Sequence, residues 1–315
     1  MNVELPDNTI GFESSEDCAV FPLDEDNLLL QSVDFFTPIV DDPFIFGQIA
    51  AANSLSDIYA MGGTPINALN IAEFPSENLP LEILFQIMDG GLNIANKAGI
   101  PILGGHTIKD PVPKYGLVVT GRIEKKNLTL NSTAKAGDVL ILTKRLGLGI
   151  ISTAIKKDKA PSFIVDEAVK TMTHLNRGAA EAMNAIGVHA CTDVTGYGLL
   201  GHLFEMCQAS GVSATLEFNT IPLIEGVYEL AQKGFIPGGT KRNMDYVSSH
   251  VNFSKTLSKE QQYLLADAQT SGGLIISVAK EKVQDLQSLL NENGCLTSSI
   301  IGNVYNPAEF SIYVD

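Results

Sequence analysis

The first 96 residues of the chain contain 16 Asp and Glu residues and no Lys or Arg, and the first base is Lys97. The other 219 residues hold 20 acids and 21 bases, so the formal net charge of −15 belongs to the N-terminal stretch. A buried carboxylate needs a base, backbone donors, water or a cation, because an unpaired buried charge is costly. Since no base lies nearby in sequence, we expect a bound cation, and oxygen-only ligands favour Mg²⁺ or Ca²⁺ over zinc.

Four aspartates are embedded in apolar or small residues and are the candidate metal ligands: Asp17, Asp34, Asp57 and Asp193. Asp57 follows Asn53 by four residues in a predicted helix, so both lie on one face. Mg²⁺ usually takes one or two carboxylates plus waters and phosphates, and aspartates converging on one cleft would suit a nucleotide held through metals. For any one of them alone, a helix cap or a turn is the alternative. The acids at 24–26 and 41–42 are predicted to be solvated turn residues.

Composition limits the class of protein. A chain of 315 residues that is 45% hydrophobic can bury a full core, and its length predicts two domains. It has no apolar run of membrane-spanning length and no basic flank of a signal peptide, so we expect a soluble, cytoplasmic protein without a membrane partner. The four scattered cysteines fit reduced thiols better than disulfides or zinc. A pI near 4.7 argues against a nucleic-acid partner.

Strand-like and helix-like segments alternate without strict βαβ regularity, which predicts the α+β class. We place the domain boundary after residue 136, giving domains 1–136 and 137–315. In the first domain the pattern predicts strands at 28–36, 66–71 and 115–123, and helices at 43–61 and 80–98 that end at glycines. In the second it predicts strands at 139–143, 214–218, 273–279 and 298–304, and helices at 150–157, 166–186 and 199–210.

Two glycine pairs could approach a phosphate. Gly104-Gly105-His106-Thr107 follows a short apolar strand, and adjacent glycines allow backbone N–H groups to come close to a phosphate. The alternative is a tight turn, and residues 270–273 leave the same two interpretations open. The sequence has no GxxxxGK[ST] loop and no GxGxxG fingerprint, which disfavours the two commonest nucleotide-binding folds.

Six motifs, in order over nearly the whole chain, closely resemble the selenophosphate synthetases, also called selenide, water dikinases: residues 15–20, 33–43, 56–63, 104–107, 192–202 and 269–273. The resemblance implies a two-domain fold of the aminoimidazole-ribonucleotide-synthetase type, usually dimeric, with ATP bound through magnesium in a cleft between domains. It also implies the reaction, in which selenide, ATP and water give selenophosphate, AMP and orthophosphate.

The resemblance also implies the site residues. The metal ligands would be Asp17, Asp34, Asp57 and Asp193. The ATP-binding residues would be Ser15, Glu16, Asp34, Asp57 and a backbone cradle formed by Gly104, Gly105, His106 and Thr107. The N-terminal domain would carry the ATP and Mg²⁺ site and the homodimer interface. We expect that interface to use the apolar strands at 28–33 and 117–119, which should cover the edges of their sheet.

Members of this family carry a glycine-rich segment upstream of the first aspartate motif, with a catalytic Cys or selenocysteine and an essential Lys. This chain begins at Met1, 16 residues before Asp17, and holds no catalytic residue of that segment. We expect about 30 further residues to be encoded upstream of Met1, and little selenophosphate from residues 1–315 alone. The alternatives are a thiamine-monophosphate kinase or aminoimidazole-ribonucleotide synthetase of the same superfamily, or a non-catalytic ATP-binding regulatory homologue.

Overall fold

A computed structural model describes residues 5–11 and 15–315 and divides the chain into two compact units, Met1–Leu128 and Thr129–Asp315. Each unit combines a β-sheet with helices, which confirms the predicted α+β class. The domain boundary after residue 136 stays a prediction. Among the described residues, no helix is both long enough and apolar enough to cross a membrane.

The strands of the first unit are β1 (Ala19–Pro22), β2 (Asn27–Phe36), β3 (Thr64–Phe74), β4 (Ile102–Lys109) and β5 (Lys114–Glu124). They form one sheet in the order β1-β2-β5-β3-β4, in which only the β3–β4 pair is parallel. The helices α1 (Pro43–Ala60) and α2 (Leu81–Ala98) pack on each other, and α1 lies against β2 and β5. The strands and helices predicted in this unit are thus confirmed.

The ends of these helices follow from local sequence. Asp42 is the N-cap of α1, where its Oδ1 accepts a hydrogen bond from the Ile45 amide at 2.9 Å, and proline occupies the first helical position. Gly62, with φ +76°, directly follows the C-cap residue of α1, and Gly99, with φ +77°, ends α2. Both glycines adopt the left-handed conformation that favours glycine, so the predicted helix ends are confirmed.

The two faces of the first sheet differ. Leu28, Leu30 and Ser32 of β2 are buried on the side that α1 covers. On the other side, Val33, Val118 and Leu69 are direct neighbours on β2, β5 and β3. The expectation that the strands at 28–33 and 117–119 cover sheet edges is wrong, because β2 and β5 are internal strands, and in the part of the chain that the structure describes the outermost strands are β1 and β4. The exposed apolar surface is a sheet face.

Strand β4 excludes the tight-turn alternative, because Gly104 to Thr107 lie within this strand. The two glycines have φ +150° and +151°, outside the range that other residues adopt easily. A Cβ at Gly105 would lie 2.2 Å from the carbonyl oxygen of Asn70, beside a register shift in β3. Gly105 therefore allows β4 to pack closely against β3.

The strands of the second unit are β6 (Asp138–Leu142), β7 (Ala190–Asp193), β8 (Ser213–Leu216), β9 (Val251–Phe253), β10 (Leu274–Ala279), β11 (Ser299–Tyr305) and β12 (Ile312–Val314). They form a mixed sheet in the order β7-β10-β6-β11-β8-β12-β9. The helices are α3 (Leu148–Ile155), α4 (Ser162–Thr173), α5 (Arg177–Ile186), α6 (Gly198–Ser210), α7 (Val227–Gln232), α8 (Gly238–Val247), α9 (Lys259–Leu265) and α10 (Val283–Glu292).

One expectation in this unit is wrong: residues 166–186 form two helices, α4 and α5, that are interrupted at His174 to Asn176. The Asn176 side chain donates to the Gly272 carbonyl at 3.0 Å, so the break ties these helices to the segment before β10. Apolar residues of α6 pack with those of β6, β8, β11 and β12 in one buried core. This core fixes the segment from the end of β7 to the start of α6, over which the motif at 192–202 extends.

Candidate functional site

Asp34 and Asp57 lie where β2 meets α1 in the first unit. The Asn53 side chain of α1 donates to Asp34 Oδ2, and the Ser32 hydroxyl of β2 donates to Asp57 Oδ2. The Ser54 hydroxyl also donates to the Asp34 carbonyl at 2.9 Å. Strand and helix thus exchange side-chain hydrogen bonds at each carboxylate, and both carboxylates accept from neutral donors. Two negative charges are held close to the same strand–helix junction.

The sequence indicated Asn53 but missed Ser32. The signal was present, because residues 28, 30 and 32 are buried and alternate with less buried positions along β2, and a serine among buried leucines must satisfy its hydroxyl. In the fold, that hydroxyl bonds to Asp57.

Asp17 lies just before β1, next to the C-terminal end of α1. The backbone amide of Cys18 lies 3.2 Å from Met61 Sδ, and Met61 caps the helix one turn after Asp57. Ser15 and Glu16 precede Asp17 in an irregular segment, and Ser15 has φ +52°. The structure therefore brings Asp17, Asp34 and Asp57 to the same helix and its neighbouring strands in the first unit.

Gly104 to Thr107 are exposed on β4, which has a neighbouring strand on one side only within the described sheet. An edge strand presents backbone N–H and C=O groups outward, as a phosphate cradle requires. His106 is the direct neighbour of Ile71, and Gly105 that of Asn70. The Asn70 side chain accepts a hydrogen bond from the Tyr115 hydroxyl at 2.7 Å, which links β3, the neighbour of β4, to a buried side chain of β5.

Asp193 belongs to the second unit, where it ends the edge strand β7 and is 2% exposed. Its neighbour in the sheet is Leu274, and the amide of the next residue, Val194, donates to the Gly273 carbonyl at 2.8 Å. The Gln269 amide donates to the Thr195 carbonyl at 2.9 Å. The motifs at 192–202 and 269–273, separate in sequence, are thus hydrogen-bonded to each other.

Two buried charged residues of this unit were missed. Lys144 is 1% exposed, and burial lowers its pKa to about 7 against the opposing effect of the Asp193 charge. Asp267 is fully buried, and burial raises its pKa to about 7 although hydrogen bonds from Thr240 and Ile150 lower it. A lone Lys or Asp carries no sequence signal of burial, since most such residues are exposed. The predicted site had no base, and the fold places one beside Asp193.

Within residues 5–11 and 15–315, no three or more His, Cys, Asp or Glu side chains form a group that could hold a metal ion by themselves. Mg²⁺ is usually bound by one or two carboxylates with waters and substrate phosphates, so such a group is not required. The residues present fit this pattern, because the carboxylates of Asp34 and Asp57, which are hard oxygen donors, lie at one junction.

The sequence matches the AIR synthase related protein N-terminal domain over residues 15–123 and the C-terminal domain over residues 135–315. It is 49% identical over 305 residues to a selenide, water dikinase of Caldanaerobacter subterraneus subsp. tengcongensis (strain DSM 15242 / JCM 11007 / NBRC 100824 / MB4), covering 97% of this chain and 88% of that protein. The chain belongs to the selenide, water dikinase family. A selenide, water dikinase of Myxococcus xanthus (strain DK1622) is 50% identical over 302 residues, covering 95% and 85% of the two chains.

The fold of this selenide, water dikinase family member is shared with more distant kinases. The structure of the thiamine monophosphate kinase AaThiL complexed with AMPPCP and TMP has a TM-score of 0.71 and 17% identity, covering 95% of this chain and 87% of that one. At this identity the likeness shows the fold alone. Together with the two domain matches, it confirms the expected fold of the aminoimidazole-ribonucleotide-synthetase type.

Proposed function

We propose that this chain makes selenophosphate from selenide, ATP and water and releases AMP and orthophosphate. The observation that carries the proposal is the 49–50% identity to selenide, water dikinases over nearly the whole chain. A thiamine-monophosphate kinase activity has weaker support, because its representative shares the fold at only 17% identity. The bound AMPPCP of that structure supports a nucleotide site in the same fold.

The residues that we propose to contact the nucleotide come from both units. In the first unit, Asp17, Asp34 and Asp57 would hold Mg²⁺, and the described edge of β4 would meet phosphate oxygens through the backbone of Gly104 to Thr107. Ser15 and Glu16 would lie beside the ATP. In the second unit, Asp193 would be a further metal ligand. When bound, Mg²⁺ neutralises phosphate charge and so favours phosphoryl transfer.

Two side chains of the first unit orient the carboxylate oxygens that would bind the cation. Ser32 and Asn53 orient two carboxylates without neutralising them, because both donors are uncharged. Three lysines of the first unit form ion pairs with other acids: Lys109 with Glu77, Lys114 with Glu73 and Asp110, and Lys126 with Glu124. A cation bound at the junction of β2 and α1 would arrive with the nucleotide or before it.

We further propose a cytoplasmic homodimer with an N-terminal domain of residues 1–136 that carries the Mg²⁺–ATP site and the interface. Val33 is 57% exposed and Leu69 is 41% exposed on the open face of the first sheet. Exposed apolar residues in one contiguous patch are typical of an interaction surface.

The activity is tested with the purified protein, supplied with Mg²⁺, ATP and selenide and followed by phosphorus NMR. We expect selenophosphate, AMP and orthophosphate. ADP formed only when thiamine monophosphate replaces selenide would support the kinase alternative. Mg²⁺–ATP binding without turnover of either substrate would support a non-catalytic ATP-binding homologue.

The metal site is tested by calorimetry of Mg²⁺–ATP binding to Asp57→Asn, with Asp89→Asn as the matched control. Both changes remove one negative charge from the first unit, but Asp89 is exposed on α2. We expect Asp57→Asn to weaken binding by about tenfold or more, because a hard ligand is lost, and the control to bind normally. Equal weakening in both variants would mean that net charge, and no specific ligand, attracts the metal nucleotide.

A further inference from the structure

Lys144 lies just after strand β6 in the second unit and is buried, with 1% of its surface exposed. Its ammonium donates to the carbonyl of Ser271 at 2.9 Å and to the carbonyl of His174 at 2.7 Å. One acceptor lies in the turn before β10, and the other lies at the break between α4 and α5. A single buried cation therefore holds two irregular segments together.

Lys144 and Asp193 lie at the same end of three adjacent strands, β7, β10 and β6. Asp193 on β7 is the neighbour of Leu274 on β10. The Leu274 carbonyl accepts a hydrogen bond from the Thr143 amide at 3.2 Å, and the Leu274 amide donates to the Thr143 hydroxyl at 2.8 Å. Thr143 directly precedes Lys144. The Asp193 charge also favours the charged form of Lys144, opposing the burial that lowers its pKa.

The turn before β10 is built around this lysine. Ser271 has φ +52°, which costs free energy for a residue with a Cβ and persists only when its surroundings hold it. A Cβ at Gly273 would lie 2.4 Å from the Lys144 backbone nitrogen, so the turn packs directly on this residue. The same Gly273 accepts the hydrogen bond of Val194, the residue after Asp193. The turn thus links Lys144 to the backbone that carries Asp193.

We propose that Lys144 is a positioning residue for Asp193: by donating to the Ser271 carbonyl it holds the turn that fixes the backbone carrying Asp193, so that the Asp193 carboxylate is oriented before the metal nucleotide binds. This inference rests on the proposed function, in which Asp193 is a ligand of Mg²⁺–ATP. Lys144 itself touches neither substrate nor metal in this role. Its effect on binding passes through Asp193.

The alternative is that Lys144 only ties two carbonyls together, and the chain offers a matched control for it. Lys282 donates to the carbonyls of Ile186 and Gly187, both at 2.9 Å, after α5. Lys282→Met removes the same number of lysine–carbonyl hydrogen bonds as Lys144→Met, at a place away from the Asp193 motif. A loss of general stability should therefore follow from either change, and a loss of binding from only one.

The experiment measures Mg²⁺–ATP affinity by calorimetry for the wild type, Lys144→Met, Lys282→Met, Asp193→Asn and the double variant of Lys144 and Asp193. We expect Lys144→Met to raise Kd about tenfold, the usual size for loss of a residue that orients a metal ligand. Lys282→Met should bind as the wild type does. The double variant should bind like Asp193→Asn, because effects that act through one group do not add.

Normal affinity in Lys144→Met, or additive losses in the double variant, would overturn the inference about Lys144. The metal site would still be supported if Asp193→Asn bound Mg²⁺–ATP more weakly. Normal affinity in Asp193→Asn would overturn the metal assignment itself. If Lys144→Met does not fold, Lys144→Gln keeps a polar donor on a shorter side chain that cannot span the two carbonyls, and it should weaken binding equally. In the wild type, the ¹⁵Nζ resonance of Lys144 should shift when Mg²⁺–ATP is added and that of Lys282 should not; an unchanged Lys144 signal would also overturn the inference.

Discussion

At the scale of single residues, the second unit buries charges and satisfies them with many hydrogen bonds. Asp267 accepts from the amides of Gly149 and Ile150 at 3.0 and 3.1 Å and from the Thr240 hydroxyl at 2.7 Å. These amides belong to the first turn of α3, so a side chain from more than 100 residues away caps that helix. Burial and long-range hydrogen bonding together fix the segments around the Asp193 motif.

His174, at the break between α4 and α5, makes the stability of this unit sensitive to acid. Burial, and secondarily the charge of Lys144, lowers the pKa of His174 to about 4 from its ordinary 6.5. The folded state therefore resists protonation that the unfolded state accepts, and the stability that this histidine contributes is lost as pH falls from 6.5 towards 4. We expect His174→Gln to unfold in urea with a shallower dependence on pH between 6.5 and 5 than the wild type.

The matched control for this prediction is His106→Gln, which changes an exposed histidine on β4 of the first unit. It should keep the pH dependence of the wild type over the same range. Parallel stability curves for the wild type and His174→Gln would show that other groups cause the acid sensitivity.

At the scale of elements, the contact between α1 and α2 depends on glycines. A Cβ at Gly47 would lie 1.9 Å from the Ile87 carbonyl oxygen, and a Cβ at Gly90 would lie 2.0 Å from that of Phe44. We expect Gly47→Ala to lower the free energy of unfolding by about 1–3 kcal/mol, because the overlap outweighs the roughly 1 kcal/mol gain in helix propensity. Urea unfolding measures this change.

Gly239→Ala in α8 is the comparison for that substitution. Its Cβ would lie 3.6 Å from Ala268 Cβ, an ordinary contact, so only the propensity gain remains. Stability should stay the same or rise by up to about 1 kcal/mol. If Gly47→Ala were as stable as Gly239→Ala, the close approach of α1 and α2 would not be a constraint on the fold.

Sequence patterns predicted elements whose signals are local. Strand β2 and helix α1 were predicted nearly to the residue, because alternation, a proline start and a glycine end are all contained in the segment. Gly104 and Gly105 were open to a turn interpretation because their strand geometry depends on the backbone of Asn70, which is distant in sequence. The break at His174 was missed because its partners, Lys144 and Gly272, come from other elements.

The candidate site divides in the same way. Asp34 and Asp57 could be selected from the sequence because they lie in a predicted apolar strand and a predicted helix. The six motifs identified the family. The hydroxyl of Ser32 and the ammonium of Lys144 could not be placed, because burial of a single polar residue depends on what packs over it.

At the scale of the whole molecule, the charge distribution opposes the association of two copies, whereas the open sheet face favours it. Val33, Val118 and Leu69 form an apolar row across three strands, with Phe21 and Phe35 also exposed on β1 and β2. The first 96 residues carry 16 acids and no base, so two such surfaces repel at long range. Association would therefore rest on apolar burial and should strengthen with salt, which screens the repulsion.

We predict that light scattering at micromolar concentration gives twice the 33.7 kDa chain mass, with tighter association at about 0.5 M salt than at low salt. The double variant Val33→Glu and Leu69→Glu should be monomeric and folded, because both side chains are already exposed. Phe163→Glu, which changes a 57% exposed apolar residue on α4 of the second unit, should leave the mass unchanged. A wild-type mass of one chain at every salt concentration would contradict the homodimer, and a dimeric double variant would mean that another surface forms the interface.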